Sequence, residues 1–263
     1  MAFDQLNYTM CDVAALTQPG DLTKTYTTAE LVKQYSPGQY AFVWDKLWGY
    51  RIFKLVKNMH GSTLAAGNLV SCVAAASVGT VTAGTTTSVT SSSMTANDME
   101  YQMITVADDA GGAGAAPEGE SSLAIGNSTT VINLDPAYAF SAAVGASDSV
   151  YVVYINGVEL SASSDERGFG HGSIGVQGVL FGAPADNYWC WALQRGWVIA
   201  KNTDALVATQ NIRAGTGLIQ DASDGGQQLE IGQISVSQFA GTEASFATVF
   251  IDVFNTIATT DTP

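Results

Sequence analysis

The chain has 263 residues, with 24 acidic side chains against 10 basic ones and a formal net charge of −14. Such acidity repels phosphate backbones and argues against nucleic-acid binding, and no apolar run approaches the ~20 residues that a membrane span requires. Charged residues make up only 13% of the chain and apolar ones 46%, against a usual charged share of about 25%, so the surface must be clothed in small hydroxyl side chains or buried against other subunits.

The first ten residues, MAFDQLNYTM, have neither a basic n-region nor an apolar h-region, which predicts synthesis in a cytosol without export by the general route. Residues 1–26 read as irregular, with turn formers at Asn7, Pro19-Gly20 and Asp21. A short helix is predicted over 27–35. Thr27 and Glu30 form its capping box and Ser36-Pro37-Gly38 its stop. From Gln39 to Val73 the pattern turns to β: Tyr40, Phe42 and Trp44 alternate, Asp45-Lys46 is a turn, and Tyr50–Val56 is a strand. Residues 74–95 are rich in small, hydroxyl and β-branched side chains, which favours strands over a linker. Met99–Val106 reads as a strand, and Asp108–Glu120 as a Gly/Ala-rich loop. Weaker apolar stretches follow at 129–134 and 138–144. Val150–Ile155, Asn156-Gly157 and Val158–Leu160 carry the clearest hairpin signal in the chain, with Asn-Gly as a type I′ turn. Glycines crowd 168–182, and Trp189, Trp191 and Trp197 mark another strand pair. The run Phe246–Phe254 is apolar on both faces, so a second sheet or another subunit is expected to cover each side.

One phrase occurs twice, as KLVKNMHGSTLAAGNLVS at 54–71 and WVIAKNTDALVATQNIRAGTGLIQ at 197–220. Each copy reaches a Lys-Asn turn (Lys57-Asn58, Lys201-Asn202), then an Ala-Gly pair (Ala66-Gly67, Ala214-Gly215), and resumes with an apolar run. The expected fold is all-β: an antiparallel β-sandwich or barrel, jelly-roll-like, with one short N-terminal helix and long loops. Three regions are expected. Residues 1–73 hold the N-terminal arm, helix and first β unit, 74–187 a middle β region, and 188–263 the C-terminal β unit. An alternative is one composite domain from 1–73 and 188–263 with 74–187 inserted.

Catalytic signatures are sparse. His60 and His171 sit in glycine-flanked turns, without the spacing of a metal site. Gly170–Gly175 formally matches GxGxxG, but the β-like Val176–Phe181 follows where a dinucleotide site needs a helix. The acidic pairs Asp108-Asp109, Glu118/Glu120 and Asp165-Glu166 read as solvated loop charges rather than a glycosidase couple. Cys11, Cys72 and Cys190 read as free buried thiols. No catalytic residue, metal, cofactor or small-molecule substrate is therefore expected, and the chain is not expected to be an enzyme. The candidate contact residues are aromatic: Trp44, Trp48, Trp189, Trp191, Trp197, Phe246, Phe250 and Phe254. The five tryptophans have two alternative readings, as a carbohydrate platform or as core packing.

The C-terminal segment from Trp191 resembles the capsid decoration, or cement, proteins and related virion structural proteins of tailed bacteriophages. The matching residues are Gly196 and Ala200, Ile212–Leu218, Asp224-Gly225, Ile231-Gly232 and Val249–Val253. The stretch GQYAFVWDKLWGYRIFKLVKNMHGSTLAAGNLV resembles such proteins too. The resemblance implies a non-catalytic protein of the outer capsid surface, made in the host cytoplasm. Its partners would be the major capsid protein and its own copies, trimers favoured, clamping neighbouring capsomers. The other functional expectation is a head fibre or surface adhesin that binds host glycans.

Overall fold

A computed structural model of the chain describes residues 22–92, 94–108, 115–161, 175–202, 211–214, 217–221, 229–230, 232–238, 245–253 and 257–258. The fold is mainly β. A short helix, α1 (Thr28–Leu31), precedes the strands β1 (Tyr40–Asp45), β2 (Gly49–Asn58), β3 (Leu69–Cys72), β4 (Ala76–Ser77), β5 (Val81–Thr85), β6 (Ser88–Ser91), β7 (Met103–Asp108), β8 (Ser121–Asn127), β9 (Val131–Leu134) and β10 (Ser149–Val153). They continue as β11 (Gly157–Leu160), β12 (Val176–Leu180), β13 (Trp189–Asn202), β14 (Asn211–Ala214), β15 (Ile219–Asp221), β16 (Leu229–Glu230), β17 (Gly232–Gln238), β18 (Ser245–Asp252) and β19 (Ile257–Ala258). The chain divides into two compact units. The first is made of residues 1–72 and 158–263, the second of 73–157.

In the first unit the strand pairings close on themselves. The circuit β2–β11–β3–β12–β13 returns to β2. Val56, Val70, Val158, Leu180, Cys190 and Ala192, drawn from all five strands, form one buried cluster with Leu64. Such a small ring is filled by side chains and has no lumen. The opposite face of β2 and β13 carries Phe53, Leu55, Trp189, Trp191 and Leu193, all fully buried. The segment before β1 contributes to that layer. Tyr35 meets Trp191 edge-on at 5.5 Å, Tyr26 meets Tyr35 at 5.6 Å, and the Trp189 Nε1–H donates to Thr28 Oγ1. Helix α1 is held in place by the expected capping box, in which the Glu30 N–H donates to Thr27 Oγ1 and the Thr27 N–H to Glu30 Oε2.

The 14-residue β13 belongs to a second circuit as well, β13–β15–β14–β17–β18. Its first half pairs with β2 and its second with β18. The change of partner falls at a bulge between Leu193 and Arg195, followed by Gly196 at φ +123°. A Cβ at Gly196 would lie 2.8 Å from Arg51 Cγ. Val198, Ala200, Val249 and Ile251 share one face and are buried, and Ile219 on β15 is buried with them.

The second unit is one seven-stranded sheet, β4-β10-β7-β8-β9-β6-β5. The first half of β8 pairs with β7 and its second half with β9, with a register shift between Ala124 and Gly126. A strand that changes neighbours across a bulge lets a sheet fold over its own core. Inward residues alternate along each strand: Ile104 and Val106, Ile132 and Leu134, Val150 and Val152. All six join one cluster with Val81, Val89, Phe140 and Val144. Outward positions carry hydroxyls, as in the Thr105–Ser121 and Thr85–Ser88 hydrogen bonds. The small, hydroxyl-rich stretch at 74–95 thus forms strands, β4 to β6.

Several expectations are corrected. Asn156-Gly157 does not close a hairpin: β10 pairs with β4 and β7, β11 with β3. The Asn156 N–H instead donates to Gln102 Oε1, and its amide to the Tyr101 carbonyl. The three tryptophans at 189–197 lie on one strand, not a strand pair. Lys57-Asn58 and Lys201-Asn202 are the last residues of β2 and β13 rather than turns. Lys57 and Asn58 are fully buried, and the Asn58 amide donates to the Ser62 and Pro184 carbonyls.

A ten-residue lead-in recurs before β3, β10 and β13, at 61–70, 141–150 and 181–190. Its fourth residue is buried (Leu64, Val144, Pro184). Its seventh has positive φ (Gly67 at 82°, Ser147 at 75°, Asn187 at 64°), and the strand starts two residues later. In two copies a side chain closes the turn. Asn68 Oδ1 accepts from the Ala65 N–H at 2.8 Å, and Asp148 Oδ2 from the Gly145 N–H at 2.6 Å.

Candidate interface

Four exposed aromatic side chains of the first unit gather on the β1–β2 hairpin. The alternation of YAFVWD sends Ala41 and Val43 inward, both buried, and leaves Tyr40, Phe42 and Trp44 on the other face at 41, 39 and 57% exposure. Across the hairpin Tyr50 stands opposite Trp44 at 70% exposure, their rings 4.6 Å apart and tilted by 54°. Leu47, in the turn, is 78% exposed. Gly49 makes the turn with φ +70°.

Behind Tyr40 this face runs into a polar cluster. Lys54 Nζ lies 6.0 Å from the Tyr40 ring centre and donates to Gln177 Oε1 at 3.3 Å. The Gln194 amide donates to the same oxygen at 3.4 Å. Burial pushes the Lys54 ammonium below its usual range and the Cys72 thiol above its own, although Lys54 draws Cys72 back down.

Trp48, in the hairpin turn, also lines a cleft of about 320 Å³ with Arg51, Gly67, Phe181, Ile199 and Phe246. Arg51 is buried, its guanidinium 5.4 Å from both the Phe53 and Phe181 ring centres. Ile199 and Phe246 are about half exposed. Among the described residues the outer face of β18 is therefore only partly covered, while Val249 and Ile251 on its inner face are buried.

The eight aromatic residues expected at contacts separate into distinct settings. Trp44 is exposed, and Trp48 and Phe246 line the cleft. Trp197 and Phe250 are half-buried and meet edge-on at 5.2 Å. Trp189 and Trp191 are fully buried, which corrects their assignment as contact residues: they pack the core. Phe254 lies outside the described residues, as do Cys11, His171, Asp109, Asp165-Glu166 and the glycines from Gly170 to Gly172. The segment after Gly175 is a strand, β12, so the nucleotide-binding context is not formed there. The periodicity of β1 already displays Tyr40, Phe42 and Trp44 on one face. Tyr50 and Leu47 were missed because only their exposure distinguishes them from core residues.

Many described carboxylates serve local structure: Glu30 caps α1, Asp135 accepts from the Ala137 N–H, Asp186 from the Gly61 N–H, Glu120 from Ser141, and Asp252 pairs with Arg195 at 3.3 Å. Among the described residues no group of three or more His, Cys, Asp or Glu is placed to hold a metal ion. Comparison with protein-family models, curated proteins and solved structures returns no match.

Proposed function

We propose that the protein is a bacteriophage virion structural protein, a decoration or cement protein that sits on the outer capsid surface and stabilises contacts between capsomers without catalysis. The observation that carries this reading is the row of exposed aromatic side chains on an open strand hairpin. Trp and Tyr anchors of this kind dominate binding energy at protein interfaces. The sparse charge lowers the desolvation cost of covering the surface, and repetition on a lattice multiplies weak contacts into firm attachment. The order of the sequence segments that resemble virion proteins supports the same reading. The partners are the major capsid protein and further copies of the chain.

Co-sedimentation with purified expanded heads that lack the protein tests the proposal. Saturable binding and a higher head-disruption temperature are expected, with at least a tenfold loss of affinity in Trp44→Ala/Tyr50→Ala. Heads that fail to bind the folded wild-type chain would sink it. A second reading, a host-glycan adhesin, is favoured by the same exposed Trp44 and Tyr50, since aromatic faces stack on sugars. Hits on a glycan array that vanish in the double variant would shift the assignment to it.

A further inference from the structure

Among the described residues the two strand circuits of the first unit leave one conspicuous open edge, β1. It ends the order of the ten-stranded sheet, and β2 is its partner among the described residues. The Leu55 N–H donates to the Gln39 carbonyl at 2.9 Å. Hydrogen-bonded pairs alternate along an antiparallel ladder, so Ala41 and Val43 also bond to β2. Phe42 and Trp44 therefore turn their N–H and C=O groups to the free edge. Natural edges are blunted by Lys, Pro, bulges or covering loops. The sequence YAFVWD has neither Lys nor Pro, and its register with β2 runs without a break.

Building on the assembly reading above, we infer that β1 pairs with β1 of a second copy, antiparallel across a two-fold axis at Phe42. This register uses the whole strand. It sets Phe42 opposite its own copy and Tyr40 opposite Trp44, so the two aromatic rows become one continuous face. Asp45 then falls opposite Gln39 and no like charges meet. Along the seam the two Phe42 rings face each other and each Tyr40 ring meets a Trp44 ring, all of them exposed side chains in the single chain. Cross-strand aromatic pairs of this kind add to the hydrogen bonds of the ladder. An edge that pairs with its own copy is complete after two chains. The contact is therefore distinct from the three-fold assembly implied by the resemblance, and would join such assemblies to one another.

The test uses the full chain. Sedimentation velocity at high micromolar concentration should show a dimer for the wild type and a monomer for Phe42→Pro. The Phe42 N–H faces outward, so proline there removes no bond to β2, and circular dichroism should remain that of the wild type. Phe42→Lys, which places two ammonium groups on the axis, should also be monomeric and guards against misfolding of the proline variant. Under mild oxidation Phe42→Cys should form a covalent dimer above the parent background, because hydrogen-bonded partners lie ~5.5 Å apart at Cα, within disulfide reach. Trp44→Cys should not, since its copy would be about 13 Å away in this register. A monomeric wild type, or folded Phe42→Pro and Phe42→Lys chains that remain dimeric, overturns the inference. Cross-linking of Trp44→Cys in place of Phe42→Cys overturns the register. Head binding is measured separately: a wild-type chain that binds heads but stays monomeric removes the pairing and leaves the capsid role standing, whereas a dimer that ignores heads does the reverse.

Discussion

Gly178→Ala should be among the most damaging single substitutions in the first unit, and Gly61→Ala among the mild ones, although both glycines have positive φ. Gly178 lies on β12 at φ +127°, and a Cβ there would stand 2.1 Å from the Leu193 carbonyl oxygen and 2.8 Å from its carbon. Ordinary contact begins at 3.4 Å. The obstruction is backbone, on the strand that both circuits share, so no rotamer change relieves it. Gly61 has φ +76° and nothing within 4 Å of its Cβ position. Its substitution therefore costs only the left-handed backbone penalty, about 1–2 kcal/mol. Gly178→Ala adds separation of β12 from β13, which places it above about 4 kcal/mol, in the tail of single-residue effects. At about 2–4 °C per kcal/mol for a chain of this size, the melting midpoint should fall by roughly 10 °C or more. Urea titration followed by tryptophan fluorescence is a direct assay, because Trp189 and Trp191 are fully buried on β13. If the two variants melt within about 1 kcal/mol of each other, a difference too small for a named backbone clash, the close approach of β12 to β13 is wrong.

Three further outcomes are expected. Asn58→Ala removes two amide donors from the Ser62 and Pro184 carbonyls and the acceptor for the His60 N–H, and should cost about 2–3 kcal/mol in urea. Burial raises the Cys190 thiol above its ordinary value of 9.0, so the folded chain keeps a proton that the unfolded chain sheds. Its stabilising effect is complete below pH 9 and declines above it by up to about 1.4 kcal/mol per pH unit. Cys190→Ala should flatten that alkaline decline, leaving the parts due to Cys72 and, from about pH 10, to Tyr40, Tyr101 and Tyr154, whose phenols burial also raises; an unchanged slope in pH-dependent urea melts would contradict it. Trp191→Ala should cost about 3–5 kcal/mol while leaving head binding of the folded fraction unchanged, measured by co-sedimentation below its melting point.

The β character was legible because its signals are local: alternation at Tyr40–Trp44, β-branched runs at 150–155, and the capping box at Thr27 and Glu30. What escaped the sequence was the choice of partner. Asn156-Gly157 carries the strongest hairpin signal in the chain, yet tertiary context overrides it, and the strands on either side belong to different units. Likewise, nothing in Trp189 or Trp191 separates core from contact, since an aromatic residue on an apolar strand suits both. Burial is set by the Tyr26–Tyr35 layer, far away in sequence. Of the two copies of the repeated phrase only the first, at 54–71, contains the recurring turn; the other two turns lie outside both copies. The recurring turn is centred on Leu64–Gly67, Val144–Ser147 and Pro184–Asn187, and its copies share geometry more than letters.

Those lead-in turns bear on how the chain reaches its fold. The first circuit joins β2 to β13, so that Lys57 pairs with Trp189. Closures across such sequence separations are slow, because loop entropy is lost before contacts compensate it. Each lead-in brings a left-handed residue and, in two copies, one side-chain bond within ten residues, while the N–H groups of Gly67, Ser147 and Asn187 donate to the distant Leu180, Val81 and Asn58 carbonyls. The turn itself needs no partner strand and biases where β3, β10 and β13 begin and which face each presents, and the distant bonds then fix it. A search over registers, where a slip of one residue would turn every side chain to the wrong face, is thereby narrowed three times by local chemistry. Slow refolding, sensitive to Leu64, Val144 and Pro184 more than to the strand interiors, is the kinetic signature of that arrangement.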